Sequence, residues 1–366
     1  MSHLTRGFSE TRGTAITLWY GWPMIGPQFM VGCDCNYFLE MQHTGHRWRR
    51  GESVESPLSI LADSGCRWCR VRVFTDYDGV SGVAYAADTA LLAQHVGMRP
   101  LVNLFLSDEW CTANHQPAPQ AWRGLSLEER AAEARHHAGL VARHFKSLGI
   151  ETPLFQVGNE IEYGLCGSYS ESIRREHPTW MRHRGIWDEV AVLVGEAIRG
   201  VQEVSPEALF VLHVAHWFNT EFCIAFYRTV QEAGVDFDFL GSSYYPTSGI
   251  PQQHFAIGNS FSDLATFVGP LTDAIGKPLI IVETGYPSCE HFHGEFAGWT
   301  HTVHGYPLTL DGQRKWIAEF LEWSRKCDGV QGVFYWSPEF YSHANWSAFA
   351  LFDKHGCARP GIDALC

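Results

Sequence analysis

Short apolar runs alternate with longer segments of helical period along most of this chain, and several runs begin just after a glycine. A glycine before a strand is typical of a helix C-cap that leads into a short turn. The predicted strands are Phe29–Asp34, Trp68–Phe74, Pro100–Phe105, Leu154–Val157, Leu209–Val214, Phe237–Ser243, Leu279–Val282 and Val330–Trp336. Eight strands separated by helices favour an α/β fold built as a single (β/α)8 barrel.

The connections differ between the two ends of the predicted barrel. A long helix begins with a capping box, Ser126 followed by Glu129, and ends at Gly149. Helix-to-strand links are short, whereas long segments follow strands three, four, seven and eight, with about 20 residues at 106–125 and about 25 at 284–309. We therefore expect one domain, 1–366, with long loops on its C-terminal face and an N-terminal extension, 1–27, packed on the barrel.

Composition and charge indicate which kinds of molecule this chain is expected to bind. The chain has 27 Lys and Arg against 40 Asp and Glu, a formal charge of -13, so nucleic acid and anionic membranes are poor partners. Aromatic residues are 14% of the chain and include 14 Trp, and aromatic rings in clefts suit the C–H faces of sugars. No signal peptide is recognised and the 11 cysteines lack disulfide spacing, which predicts a cytoplasmic protein.

Two glutamates stand at the ends of separate apolar strands. Glu160 follows Asn159 after strand four, and Glu283 ends strand seven. Catalytic groups of barrel enzymes lie at the carboxyl ends of the strands, so both carboxylates are expected at one rim. Two carboxylates across a sugar-sized cleft are the minimum apparatus for hydrolysis of a glycosidic bond.

The neighbours of the two carboxylates suggest their roles. Arg70 alternates with Arg72 on strand two, and Tyr245 or Tyr244 lies at the end of strand six, so Glu283 has donors that favour its ionised form. We therefore predict that Glu283 is the nucleophile. Partial burial and a negative neighbour should raise the pKa of Glu160, which is predicted to be the acid/base.

Motifs in chain order resemble those of the endo-β-1,4-galactanases, a family of retaining glycosidases. They are Arg70 with VRVF, SDEW at 107–110, QVGNE at 156–160, SSYYP at 242–246, IIVETGYP at 280–287, FYWSP at 334–338 and ALFD at 350–353. The resemblance runs from Phe29 to about position 360 and implies acid/base Glu160 and nucleophile Glu283. It also implies that Asn159, Arg70, Tyr245 and Trp336 shape the subsite at the cleaved bond.

Other residues near the predicted strand ends are further candidates for sugar binding. They are Asp34, Asp108, Trp110 and Trp217, and the neighbouring Glu162, Tyr163, His213 and His216 could also line the pocket. The predicted activity is retaining hydrolysis of a β-linked galactoside or related oligosaccharide.

Two departures from the family pattern bear on the substrate. Where the family reads Asp-Phe-His-Tyr, this chain has Asn103, Leu104, Phe105 and Leu106, and Ser337 replaces the glutamate after the strand-eight tryptophan. Both changes remove polar groups near the sugar, so they bear on galactan specificity rather than on the mechanism.

Three alternatives stay open. An exo-acting β-galactosidase or β-glucosidase would close one end of the cleft with the long loops, and a catalytically silent barrel would bind carbohydrate without turnover. A metal-dependent isomerase or lyase would use histidines such as His291 and His293. Zinc could also be held by four thiols, Cys33, Cys35, Cys66 and Cys69, but buried reduced cysteines are commoner, and we predict no metal or cofactor.

Overall fold

A computed structural model describes residues 28–169, 180–255 and 257–366, so the predicted extension at 1–27 lies outside the described residues. The structure has eight barrel strands: β1 Met30–Asp34, β2 Trp68–Val73, β3 Arg99–Leu104, β4 Leu154–Val157, β5 Leu209–Val214, β6 Phe239–Tyr244, β7 Leu279–Thr284 and β8 Val330–Trp336. They are parallel and close into a barrel in the spatial order β1-β8-β7-β6-β5-β4-β3-β2. The prediction of a (β/α)8 barrel is confirmed.

Helices surround the barrel. They are α1 Phe38–His43, α2 Pro57–Asp63, α3 Val83–His95, α4 Leu127–Ser147, α5 Trp180–Gln202, α6 Thr220–Glu232, α7 Ile250–Phe255, α8 Phe261–Ile275 and α9 Leu310–Lys326. The capping box of α4 is confirmed, because the Glu129 amide donates to the Ser126 hydroxyl and the Glu129 carboxylate accepts from the Ser126 amide. The sequence did not predict α1, α7 or the hairpin of Trp48–Arg50 and Ser53–Glu55.

The barrel interior changes from apolar to polar along the strands. Its apolar layer is made of Met30, Trp68, Leu101, Leu154, Val211, Phe239, Ile280, Val282 and Phe334. Side chains of a strand alternate between its two faces, so a residue two positions further along points the same way. On five strands that residue, or the next one in the same phase, is polar: Arg70, Asn103, Gln156, His213 and Ser243. The strands therefore carry a buried polar layer toward their carboxyl ends.

A bulge in β7 turns Glu283 into this polar layer. Ile280 and Val282 both belong to the apolar interior, so strict alternation would send Glu283 outward. The pairing with β6 shifts here, since Ser242 is opposite Ile281 and Ser243 is opposite Glu283. Such an extra residue bends a strand and redirects the following side chain, and bulges are common next to active sites.

The described helices include none that is both long and apolar enough to cross a membrane.

Candidate active site

A tight turn after β4 presents Glu160 to the cleft. Gly158 has φ 73° and Glu160 itself is left-handed, with φ 52° and ψ 58°. The Gln116 side chain donates to the carbonyl oxygens of Asn159 at 2.7 Å and Glu160 at 3.1 Å. These bonds hold a conformation that is unusual for a non-glycine residue, and such strain is often found at functional sites.

The carboxylate of Glu160 is held by two neutral donors. The Ser243 hydroxyl donates to Oε1 at 2.7 Å, and the Ala113 amide donates to Oε2 at 3.0 Å. Burial raises the pKa of Glu160, the charge of Glu162 raises it further, and the two donors oppose the rise. Glu160 is therefore suited to keep a proton that an ordinary glutamate would lose.

Glu283 is held by a charged donor and a phenol. Its side chain accepts from Arg70 Nη1 at 2.8 Å and from the Tyr245 hydroxyl at 3.1 Å. Burial raises the pKa of Glu283 to about 7, although Arg70 opposes the rise. Burial and the nearby carboxylates raise the pKa of Tyr245 well above its usual value, so the phenol keeps the proton that it donates.

Arg70 links the two carboxylates through a buried network. Its Nε donates to Gln156 at 2.9 Å, its Nη2 to Asn159 at 2.6 Å, and its Nη1 to Asp34 as well as Glu283. Burial opposes the charge, but Glu283 and Asp34 outweigh it and raise the pKa of Arg70. Asp34 thus orients the guanidinium and is itself only 2% exposed.

The two carboxylates differ in the charge of their donors. Coupled acids share their protons, and the site that a fixed positive charge faces is the one that ionises first. Arg70 touches Glu283, whereas Glu160 accepts from a hydroxyl and an amide. With one proton between them, this arrangement favours negative charge on Glu283 and the proton on Glu160.

Neutral polar groups connect Asn159 to Glu160. His213 Nδ1 lies 3.2 Å from Asn159 Oδ1, and its Nε2 lies 2.9 Å from the Ser243 hydroxyl that donates to Glu160. Burial, together with the charge of Arg70, lowers the pKa of His213 well below its usual value. The imidazole is therefore neutral and orients Ser243.

Aromatic rings line the rim near β1, β3 and β8. Trp336 packs edge-on against Tyr37, and its ring centroid is 6.0 Å from that of Trp110. Trp110 is 38% exposed and rests on the buried Arg72 guanidinium, which lies 4.2 Å from the ring centroid. An exposed indole fixed from beneath is a suitable platform for the C–H face of a sugar.

Phe105, one of the predicted departures from the family pattern, packs against this platform. Phe105 is buried and meets Trp110 edge-on at 5.6 Å. Ser337 and Leu106 have left-handed backbone with φ 44° and 52°, and both side chains are buried. Asn103 lies in the polar layer, 3.3 Å from the Asn159 amide oxygen.

Two residues that were predicted to contact the substrate, Trp217 and Asp108, lie outside the hydrogen-bonded network around the carboxylates. Trp217 is 3% exposed and packs on Phe218 and Tyr244 within the main apolar core. Asp108 accepts from the Gln120 amide at 2.7 Å and so caps the short helix Gln120–Trp122. These two side chains organise the scaffold instead of joining the hydrogen-bonded network around the carboxylates.

Two residues of this network escaped the sequence analysis. Gln156 binds the Arg70 Nε, and Ser243 binds Glu160. Each is a polar residue at an inward-facing position of a strand, and this pattern could have identified them. Gln156, for example, lies two residues beyond an apolar interior position.

Among the residues that the structure describes, the candidate histidine and cysteine ligands do not form a group that could hold a metal ion. The thiols of Cys33 and Cys35 are 3.8 Å apart and buried. Hydrogen bonding among the clustered thiols raises the pKa of Cys33 well above its usual value, and burial does the same for Cys35. His291 and His293 are exposed on the loop after β7.

Residues 30–365 match the sequence model of glycosyl hydrolase family 53. The chain belongs to this family. A probable arabinogalactan endo-β-1,4-galactanase A of Aspergillus terreus is 28% identical over 325 residues, 86% of each chain. An arabinogalactan endo-β-1,4-galactanase of Cellvibrio japonicus is 26% identical and aligns over 89% of this chain and 86% of its own.

A solved fungal β-1,4-galactanase shares the fold of this family 53 chain, with TM-score 0.77 at 22% identity, and the match covers 91% of this chain and 98% of that one. Family membership and the galactanase relatives make the protein a galactanase-like glycoside hydrolase.

Proposed function

We propose that this family 53 hydrolase cleaves β-1,4-linked galactosyl oligosaccharides with retention of anomeric configuration. The observation that carries the proposal is the unequal support of the two carboxylates. Glu283 faces the Arg70 charge, as a nucleophile requires, and Glu160 is half-buried among neutral donors, as an acid requires.

In the first step, a Glu283 oxygen attacks the anomeric carbon as the glycosidic C–O bond breaks. Glu160 gives its proton to the leaving oxygen, and the sugar becomes an ester of Glu283. In the second step, Glu160 takes a proton from water. The water oxygen attacks the anomeric carbon, and Glu283 leaves as a carboxylate.

Asn159 and Arg70 support this chemistry from the polar layer. The Asn159 amide nitrogen gives one hydrogen to the Cys111 carbonyl at 3.0 Å, which leaves its second hydrogen for a sugar hydroxyl. A hydrogen bond to the 2-hydroxyl strengthens as the oxocarbenium-like transition state forms. Arg70 keeps Glu283 ionised until attack.

The substrate assignment follows the galactanase relatives and takes account of the uncharged surroundings of Trp110 and Trp336. The Phe105 and Ser337 positions contribute no charge beside Trp110 and Trp336, so apolar sugar faces are favoured there over charged substituents. The exposed Trp110 lies beyond the cleaved-bond residues, which suits a substrate longer than one sugar.

The test is product analysis with β-1,4-galactooligosaccharides, β-1,4-glucooligosaccharides and aryl β-glycosides. We expect turnover of the galactosides with mixed oligomeric products. Monosaccharide as the sole product would support exo action instead, and calorimetric binding without turnover would support a silent carbohydrate-binding barrel.

A further inference from the structure

A third carboxylate lies beside Glu160 and has no step in the mechanism above. Glu162 is fully buried in the short helix Ile161–Tyr163. Its Oε1 accepts from the Ala215 amide at 2.8 Å and from His216 Nδ1 at 2.5 Å. Its Oε2 has no hydrogen-bond partner within the described part of the chain. A buried carboxylate with half of its acceptors unused is costly to keep, which points to a role for its charge.

The backbone fixes Glu162 at its place. The Trp187 indole donates to its carbonyl oxygen at 2.7 Å. The His216 ring packs edge-on against Tyr163 and Phe218, so it cannot swing away from the carboxylate without disturbing both. The position of this charge relative to Glu160 is therefore set by packing on several sides.

Glu162 is the negatively charged neighbour that acts on Glu160 from the β5 side. Burial is the main cause of the raised pKa of Glu160, Glu162 is the next, and His216 acts in the opposite direction. On α6, Cys223 and Tyr227 also interact electrostatically with Glu162. Burial raises the pKa of both side chains well above their usual values, so they stay neutral.

The other groups around Glu160 are neutral or belong to the reaction. They are the Ser243 hydroxyl, the neutral His213 behind it, the Tyr245 phenol, the Ala113 amide and the nucleophile Glu283.

We propose that Glu162, held by Ala215 and His216, is a positioning residue that keeps the proton of Glu160 in place until the leaving group takes it. The inference rests on the proposed function. It also explains the second step: when Glu283 becomes a neutral ester, its charge no longer acts on Glu160. Glu162 then remains to keep Glu160 basic enough to take a proton from water.

The test is the pH dependence of kcat/KM for Glu162→Gln, which keeps the size and the acceptor oxygen but removes the charge. Loss of a nearby negative charge lowers the pKa of Glu160, so the basic limb should move to lower pH by about one unit with galactooligosaccharides. The dinitrophenolate of a dinitrophenyl β-galactoside leaves without a proton, so the basic limb measured with this substrate should not move.

Asp238→Asn is the matched control. This partly buried carboxyl lies at the amino end of β6, far from the rim, and its replacement should leave both pH profiles unchanged.

His216→Asn should act in the opposite direction, because it removes a group that favours ionised Glu160, and its basic limb should move to higher pH. Loss of packing alone would not give opposite shifts. If Glu162→Gln does not fold, Glu162→Ser carries the test, because it also removes the charge and should move the basic limb to lower pH. An unchanged basic limb in the folded variants, or equal shifts with both substrates, overturns the inference while the wild-type activity stands. Absence of wild-type turnover on both substrates overturns the proposed function and the inference with it.

Discussion

At the scale of single residues, the chemistry of the site depends on which donors reach each carboxylate. Arg70 has five N–H groups, and the structure directs them to Gln156, Asn159, Asp34 and Glu283. Because the guanidinium is buried, its charge acts on Glu283 with little screening by solvent. This contact is what distinguishes the proposed nucleophile from the proposed acid.

Replacement of either glutamate by alanine should remove most turnover, and an added nucleophile should show which face each one occupied. In Glu283→Ala, azide can fill the space of the carboxylate and attack from that face, so the product should be the α-glycosyl azide. In Glu160→Ala, azide should react with the glycosyl-Glu283 ester from the opposite face and give the β-azide. Proton NMR of the products checks the assignment, and exchanged anomers would reverse the two roles.

The acid limb of kcat/KM should report the ionisation of Glu283. A glutamate with pKa about 7 loses its reactive form as pH falls through neutrality, so kcat/KM should fall in that range. Arg70 lowers this pKa, so Arg70→Gln should move the acid limb to higher pH and reduce kcat/KM by about 100-fold or more.

Arg70→Lys is the control for this experiment, since it keeps the charge and loses the forked geometry. Its acid limb should move less than that of Arg70→Gln. An acid limb that is the same in all three proteins would show that Arg70 does not control Glu283.

At the scale of elements, the turn after β4 and the bulge in β7 bring the two glutamates into one layer. Regular geometry in β7 would send Glu283 outward, and the left-handed backbone of Gly158 and Glu160 forms the turn that carries Glu160. Gly158 allows the turn, and a Cβ at this position would lie 2.3 Å from Ile161 Cγ2. The turn therefore requires glycine at position 158 for two reasons: the left-handed backbone conformation and the close packing against Ile161.

Gly158→Ala should displace Glu160 and reduce both the free energy of unfolding and kcat/KM. Because a catalytic group would be misplaced, we expect kcat/KM to fall by about tenfold or more. Gly149 offers a matched control, because it has the same φ of 73° and an added Cβ would meet nothing within 4 Å. Gly149→Ala should cost about 1 kcal/mol in the free energy of unfolding from the backbone conformation alone and leave kcat/KM unchanged. Equal kinetic effects of the two replacements would contradict this account of the turn.

The strands were predictable from sequence because each is a short apolar run with a clear boundary. β4, β5 and β8 have the predicted bounds, and the other predicted strands differ by a residue or two at their ends. The orientation of Glu283 was not predictable, since alternation from Ile280 and Val282 points it outward and the bulge appears only in the pairing with β6.

The roles of the two loop tryptophans also required the structure. Trp110 and Trp217 both follow predicted strands, and local sequence does not separate them. Trp110 rests on Arg72 and stays exposed, whereas Trp217 packs on Tyr244. Burial of a loop side chain depends on neighbours distant in sequence, so it cannot be inferred from the surrounding residues alone.

At the scale of the whole molecule, the barrel gathers polar groups from separate strands at one end. β2, β4, β5, β6 and β7 supply the network of Arg70, Gln156, His213, Ser243 and Glu283. Aromatic rings from the end of β8 and from the loops after β1 and β3 lie beside this network. The apolar layer beneath stabilises the barrel, so changes in the rim loops can alter the substrate with little effect on the fold.

The central claim, retaining hydrolysis through an ester of Glu283, is tested most directly by the anomer released first. The wild-type protein would be mixed with a β-1,4-galactooligosaccharide, and proton NMR would follow the new reducing ends from the first minutes, before mutarotation. Two displacements at the same carbon predict that the β-anomer appears first and the α-anomer grows in later. Initial release of the α-anomer would show a single displacement by water and contradict the account.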